Sequence, residues 1–94
     1  MNQELIIILE NIKGKITDSS DMGWTYYDTA QDLRNELDTY ISQLNQGNMQ
    51  AMEKINFLFA PTGSLQEHSI SNNWAEEYLA LSGKFDEIYE SSKS

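Results

Sequence analysis

Apolar side chains recur along this chain at the spacing of a helix, about 100° of rotation per residue, in four stretches. The clearest runs from about Thr25 to Asn45. Tyr26, Ala30, Leu33, Leu37, Tyr40, Ile41 and Leu44 fall on one face, and Asp28, Asp32 and Glu36 lie opposite. Thr25 with Asp28 three residues on predicts a capping box, and Gly47 a stop. A last helix is predicted from Asn73, its N-cap, through the stripe Trp74, Tyr78, Leu81, Phe85 and Ile88. Gly83 interrupts it without breaking the stripe. Between these two, Met52, Ile55 and Phe59 share a face of a shorter helix, about Asn48 to Phe59, which Pro61 ends. The first stretch, Asn2 to about Ile16, groups Leu5, Ile8, Leu9, Ile12 and Ile16. Its isoleucine-rich run Leu5 to Leu9 also suits a strand. A lone strand would lack a partner in this chain, so helix is preferred.

Two segments read as loops, Thr17 to Gly23 and Pro61 to Ser71. In the second, Pro61 opens a turn, Gly63 supplies a positive φ, and Leu65 and Ile70 pin the loop to the helices. Ser91 to Ser94 reads as a frayed tail. The expected fold is all-α, a single domain over residues 1–94, built as a compact antiparallel bundle of about four helices. The alternating three-and-four spacing fits the shallow crossing angles of such bundles.

Charge narrows the partners. The 94 residues hold 15 acidic side chains against 6 basic ones, a net charge of −9. A field of that sign repels nucleic acid and anionic lipid and favours basic protein surfaces. It also serves solubility alone. With no cysteine, disulfides, thiolate zinc sites and cysteine nucleophiles are excluded. Leu5 to Leu9 is too short for a signal segment or a membrane span, so a cytoplasmic location is expected.

The candidate chemistry is sparse. Asp28, Asp32 and Glu36 make a carboxylate row, but they face away from the apolar stripe and no Glu-x-x-His element accompanies them, so a solvated face is expected. His68, the one histidine, stands next to Glu67 and four residues from Ser64. Neighbours in a short loop rarely converge as a catalytic triad must, and a surface histidine is expected. Gly63 and Ser64 lack the further glycines and the lysine of a phosphate loop. Gly63, Ser64 and His68 remain the candidate functional loop, with no catalytic residue, metal or cofactor expected.

Apolar residues off the stripes say more. Ile7, Phe57 and Leu79 each fall outside the apolar face of their helix, and Trp24 and Tyr27 flank the second one. Either broad helix packing buries the first three and the last two cap the end of the core, or these five are partner-binding residues, for another protein or as the second seam of a homodimer.

The stretch Leu58-Phe59-Ala60-Pro61-Thr62-Gly63-Ser64-Leu65-Gln66-Glu67-His68-Ser69-Ile70 resembles a loop in a family of small bacterial helical proteins of unknown function. That pattern is Leu-Phe, a few small residues, Gly-Ser-Leu, then an acid or amide and an aliphatic. Its second glycine is Pro61 or Thr62 here, and its later acid is at best Glu67, displaced by about a position. The resemblance implies a turn and no chemistry. In charge and size the chain also looks like the immunity proteins that neutralise bacterial nuclease toxins, and Tyr26-Tyr27-Asp28 is similar to their paired tyrosines and acids. The function expected is a non-enzymatic interaction domain, self-associating or bound to a cytoplasmic protein. The alternative is an inhibitor or DNA mimic that neutralises a basic enzyme or DNA-binding protein.

Overall fold

The isoleucine-rich start of the chain is a helix, α1 (Gln3–Lys15), with Leu5, Ile8, Leu9 and Ile12 buried on one face. It is followed by α2 (Ala30–Asn45), α3 (Ala51–Leu58), α4 (Ser64–Ser71) and α5 (Ala75–Lys93). The computed structural model describes residues 3–23, 25, 27–60 and 63–93, with residues 92 and 93 as backbone only. Among these the fold is all-helical. It has five helices where about four were expected, because the segment Pro61 to Ser71 is not simply a loop. From Ser64 it coils into α4, and the Glu67 N–H reaches the Gly63 carbonyl at 3.1 Å. Eight residues with few apolar positions give too weak a periodicity to announce a helix.

The second helix begins at Ala30, five residues later than its stripe suggests. Thr25 does not cap it. Its hydroxyl donates to the Met22 carbonyl at 2.9 Å and accepts the Tyr27 N–H at 3.2 Å, closing a local turn. The cap is Thr29, whose hydroxyl accepts the Asp32 N–H at 3.1 Å. The same Thr-x-x-Asp spacing therefore occurs twice, four residues apart, and only the downstream copy is used. Tyr26 and Trp24 lie outside the described residues. At the other end the stop is as expected. Gly47 takes φ 78°, its N–H bonds the Leu44 carbonyl, and the Asn48 N–H bonds that of Gln43. Such a left-handed closure favours glycine.

α5 begins at Ala75, one residue later than a cap at Asn73 would place it. Asn73 has φ 66°, a conformation asparagine tolerates, and the Trp74 carbonyl accepts the first helical bond, from Tyr78 at 2.9 Å. α3 is shorter than its stripe, starting at Ala51 rather than Asn48. Ile16, just past α1, is buried as its spacing requires.

All five helices contribute to one apolar cluster. The Cα radius of gyration is 12.5 Å, against about 12.4 Å for a compact chain of this length. Through the middle runs an aromatic column. Phe59 stacks on Phe85 with ring centroids 4.5 Å apart and on Tyr78 at 6.0 Å, and Phe85 stacks on Tyr89 at 5.6 Å. Trp74 meets Tyr78 edge-on at 6.1 Å and His68 at 5.6 Å. This column joins α3 and α4 to α5. Two further polar ties hold α5 to α3: Tyr78 donates to the Phe59 carbonyl at 3.2 Å and Tyr89 to Glu53 at 2.9 Å.

The loop after α1 is anchored from two sides. Arg34 donates to the Ile16 carbonyl at 3.0 Å and to Asp18 at 2.6 Å. The Asn72 side chain accepts the Asp21 N–H at 2.8 Å and donates to the Asp21 and His68 carbonyls at 3.0 and 2.9 Å. One asparagine thus ties that loop to the end of α4.

Candidate functional site

The helix α5 presents two apolar stripes, not one. Trp74, Tyr78, Phe85 and Tyr89 are buried in the core. Leu81 and Ile88, which the sequence assigns to the same stripe, are partly buried: they pack against the core and also line a groove. The core face is completed instead by Tyr89, which the stripe passed over.

That groove is a concave feature formed by several helices. It is open, about 680 Å³, with walls from α1 and α5 and an end from Met49 and Met52 at the start of α3. On α1 it takes Glu4, Ile7, Ile8 and Asn11, and on α5 Leu81, Lys84, Glu87, Ile88 and Ser91. Both sets follow helical spacing, so each wall is one continuous face of its helix. Its lining is mixed, apolar at Ile7, Ile8, Leu81 and Ile88 and polar at Asn11 and Ser91. Among the charged residues, Glu4 stands on one wall, and Glu87 with Lys84 on the other.

Of the expected contact residues, Ile7 is 51% exposed and lines this groove. Phe57, 75% exposed, and Leu79, 66% exposed, are also uncovered, but neither lines it. Tyr27 is half-buried against the core. It lines a separate, more polar hollow beside Asp18, Thr25 and Asp28. Trp24 lies outside the described residues. Met49, Leu81 and Ile88 were not singled out as contact residues. For Leu81 and Ile88 the signal is their shared face of α5 with Lys84 and Ser91, beside the core stripe.

The candidate loop residues are placed differently from expectation. Gly63 has φ −75°, so positive φ is not why glycine stands there. A Cβ at this position would lie 2.9 Å from the Ala60 carbonyl oxygen and 3.1 Å from that of Leu58. Glycine is demanded by space. Ser64 and Leu65 are buried at the start of α4, while Ile70, expected to pin the segment, is exposed.

His68 is not a surface residue. It is fully buried, because α4 turns it inward against Trp74, whose Nε1–H donates to His68 Nδ1 at 2.9 Å. The imidazole therefore carries its proton on Nε2, which is buried without a hydrogen-bond partner among the described residues. Its accepting nitrogen is taken by Trp74 rather than turned toward a nucleophile. Burial holds the imidazole below the ordinary histidine pKa, and the Asp21 carboxylate opposes this more weakly.

A pH dependence follows. Unfolded, His68 takes up a proton below about pH 6.5, but in the fold it does so only at lower pH. Stability is complete above that value and falls as pH drops through it, by at most about 1.4 kcal/mol per pH unit from this group. Urea unfolding at pH 7.5 and pH 5.5 should show the loss in the natural protein and a smaller one in His68→Gln. Equal losses in both would remove His68 as the cause.

The carboxylate row is dispersed. Asp28 and Asp32 are exposed, and Glu36 accepts a hydrogen bond from the Tyr40 hydroxyl. Burial and that carboxylate push the Tyr40 phenol well above its usual range. Among the described residues no group of three or more histidine, aspartate or glutamate side chains is arranged to hold a metal ion. No helix among them is long and apolar enough to cross a membrane.

Comparison with protein-family models, with curated proteins and with solved structures finds no match.

Proposed function

We propose that this protein is a non-enzymatic interaction domain whose groove between α1, α3 and α5 receives an apolar surface of a protein partner. The observation that carries this is the apolar lining of the groove, where Ile7 is half-exposed and Leu81 and Ile88 are partly exposed above the buried Ile8 and Met52. In a domain this small, apolar area is scarce and the fold needs most of it. The scaffold is taken as an antiparallel bundle. Lys13 pairs with Asp38 while Arg34 reaches back to Ile16. Lys15 at the end of α1 pairs with Glu77 at the start of α5.

Sedimentation at micromolar concentration separates the two forms of the proposal. A dimer in the natural protein that dissociates in Ile7→Glu identifies a second copy as the partner. A monomer leaves a different, cytoplasmic protein. Capture from the native host, repeated with Ile7→Glu and with Phe57→Glu, then tests the groove. The same protein should be lost from the first variant and kept by the second. A captured set indifferent to Ile7→Glu defeats the proposal.

A second function, inhibition of a basic enzyme or DNA-binding protein, is favoured by the net charge of −9. Binding of that kind weakens steeply with salt and does not depend on Ile7. The absence of a cationic partner in capture experiments would rule it out.

A further inference from the structure

Resting on the groove as the binding site, we infer that its occupant is a cationic amphipathic helix of another protein rather than a second copy of this chain. Shape comes first. The α5 wall runs from Leu81 to Ser91, eleven residues of helix whose ten rises span about 15 Å. A helix laid along it engages about three turns, enough for apolar anchors at i, i+3 or i+4, and i+7. Met49 and Met52 close one end, and unbranched thioether side chains adapt to an incoming apolar face.

Charge then selects the occupant. Each long wall carries an acid, Glu4 on α1 and Glu87 on α5, against one cation, Lys84. Lys13, Lys15 and Arg34 are already engaged with Asp38, Glu77 and Asp18, and none of them lines the groove. A helix with lysine or arginine on both flanks of its apolar stripe meets Glu4 on one side and Glu87, one turn from Lys84, on the other, a net acidic lining. A second copy brings another nine negative charges against the first. Repulsion of that kind disfavours association and is felt most at low salt.

The test uses three fluorescein-labelled 14-residue peptides that share one leucine stripe and carry lysine, glutamine or glutamate on the flanks. Anisotropy titrations against the full chain at 50 and 300 mM salt read the affinities. The lysine-flanked peptide should bind at least tenfold more tightly than the glutamate-flanked one. That preference should shrink severalfold in Glu4→Gln/Glu87→Gln and at the higher salt. Ile7→Ser should weaken all three.

Equal binding of the three peptides, still lost in Ile7→Ser, overturns the cationic occupant and leaves the groove standing. So does a dimer that Ile7→Ser dissociates. Lysine-selective binding unaffected by Ile7→Ser places the peptide elsewhere on the acidic surface and overturns the inference. If no peptide binds and capture is also indifferent to Ile7, the groove itself falls.

Discussion

Replacing Phe85 with alanine is expected to cost about 3–5 kcal/mol, the largest single loss in the domain. Phe85 is completely buried. It sits inside the aromatic column, with Phe59 on one side at 4.5 Å and Tyr89 on the other at 5.6 Å. Truncation removes the transfer free energy of the ring and leaves a hole between two rigid neighbours that cannot collapse around alanine. The stacked contacts add roughly 0.5–1.5 kcal/mol each beyond area burial. A chain of this size has about 5–14 kcal/mol in total, so the variant retains a fraction of its stability or none. Urea denaturation followed by far-ultraviolet circular dichroism measures it. Phe85→Leu should recover part of the loss by refilling the space. A loss below about 1.5 kcal/mol for the alanine variant would mean that the column does not hold α3 to α5.

A single methyl group at Gly63 is expected to cost roughly 1–3 kcal/mol by forcing the end of α3 away from the start of α4. The Cβ would lie 2.9 to 3.2 Å from three carbonyl oxygens, those of Ala60, Leu58 and Phe57. All three are backbone atoms and have no flexible end to swing aside. The same substitution at Gly83 meets nothing within 4 Å. There, in the interior of α5, alanine should stabilise by up to about 1 kcal/mol through helix propensity. The two variants are chemically identical and opposite in expected sign. If both moved stability in the same direction, close approach at Gly63 would not be the reason for glycine.

The two glycines also show where local sequence stops being informative. Nothing in the residues around Gly63 distinguishes a glycine chosen for φ from one chosen for space, because the crowding carbonyls, at the end of α3 and at Ala60 just beyond it, are brought close only by the fold of the backbone. His68 is similar. Its neighbours are polar and its segment reads as a turn, yet α4 rotates it inward onto Trp74. A buried imidazole needs a partner, and Trp74 Nε1 supplies one from the start of another helix.

The helical nature of the chain and most of its core were legible in the order of residues. Leu5, Ile8, Leu9 and Ile12 on α1, and Leu33, Leu37, Tyr40, Ile41 and Leu44 on α2, are buried where periodicity places them. Periodicity succeeds here because a helix maps spacing directly onto a face. The off-stripe positions of Ile7, Phe57 and Leu79 were legible for the same reason, and packing decided that they are exposed. Three-dimensional packing settled the rest. Leu81 and Ile88 read as core, since a stripe records that residues share a side of α5 and not which neighbour covers it. Whether that side meets Phe59 or solvent depends on how α1, α3 and α5 are spaced, and that spacing is what opens the groove.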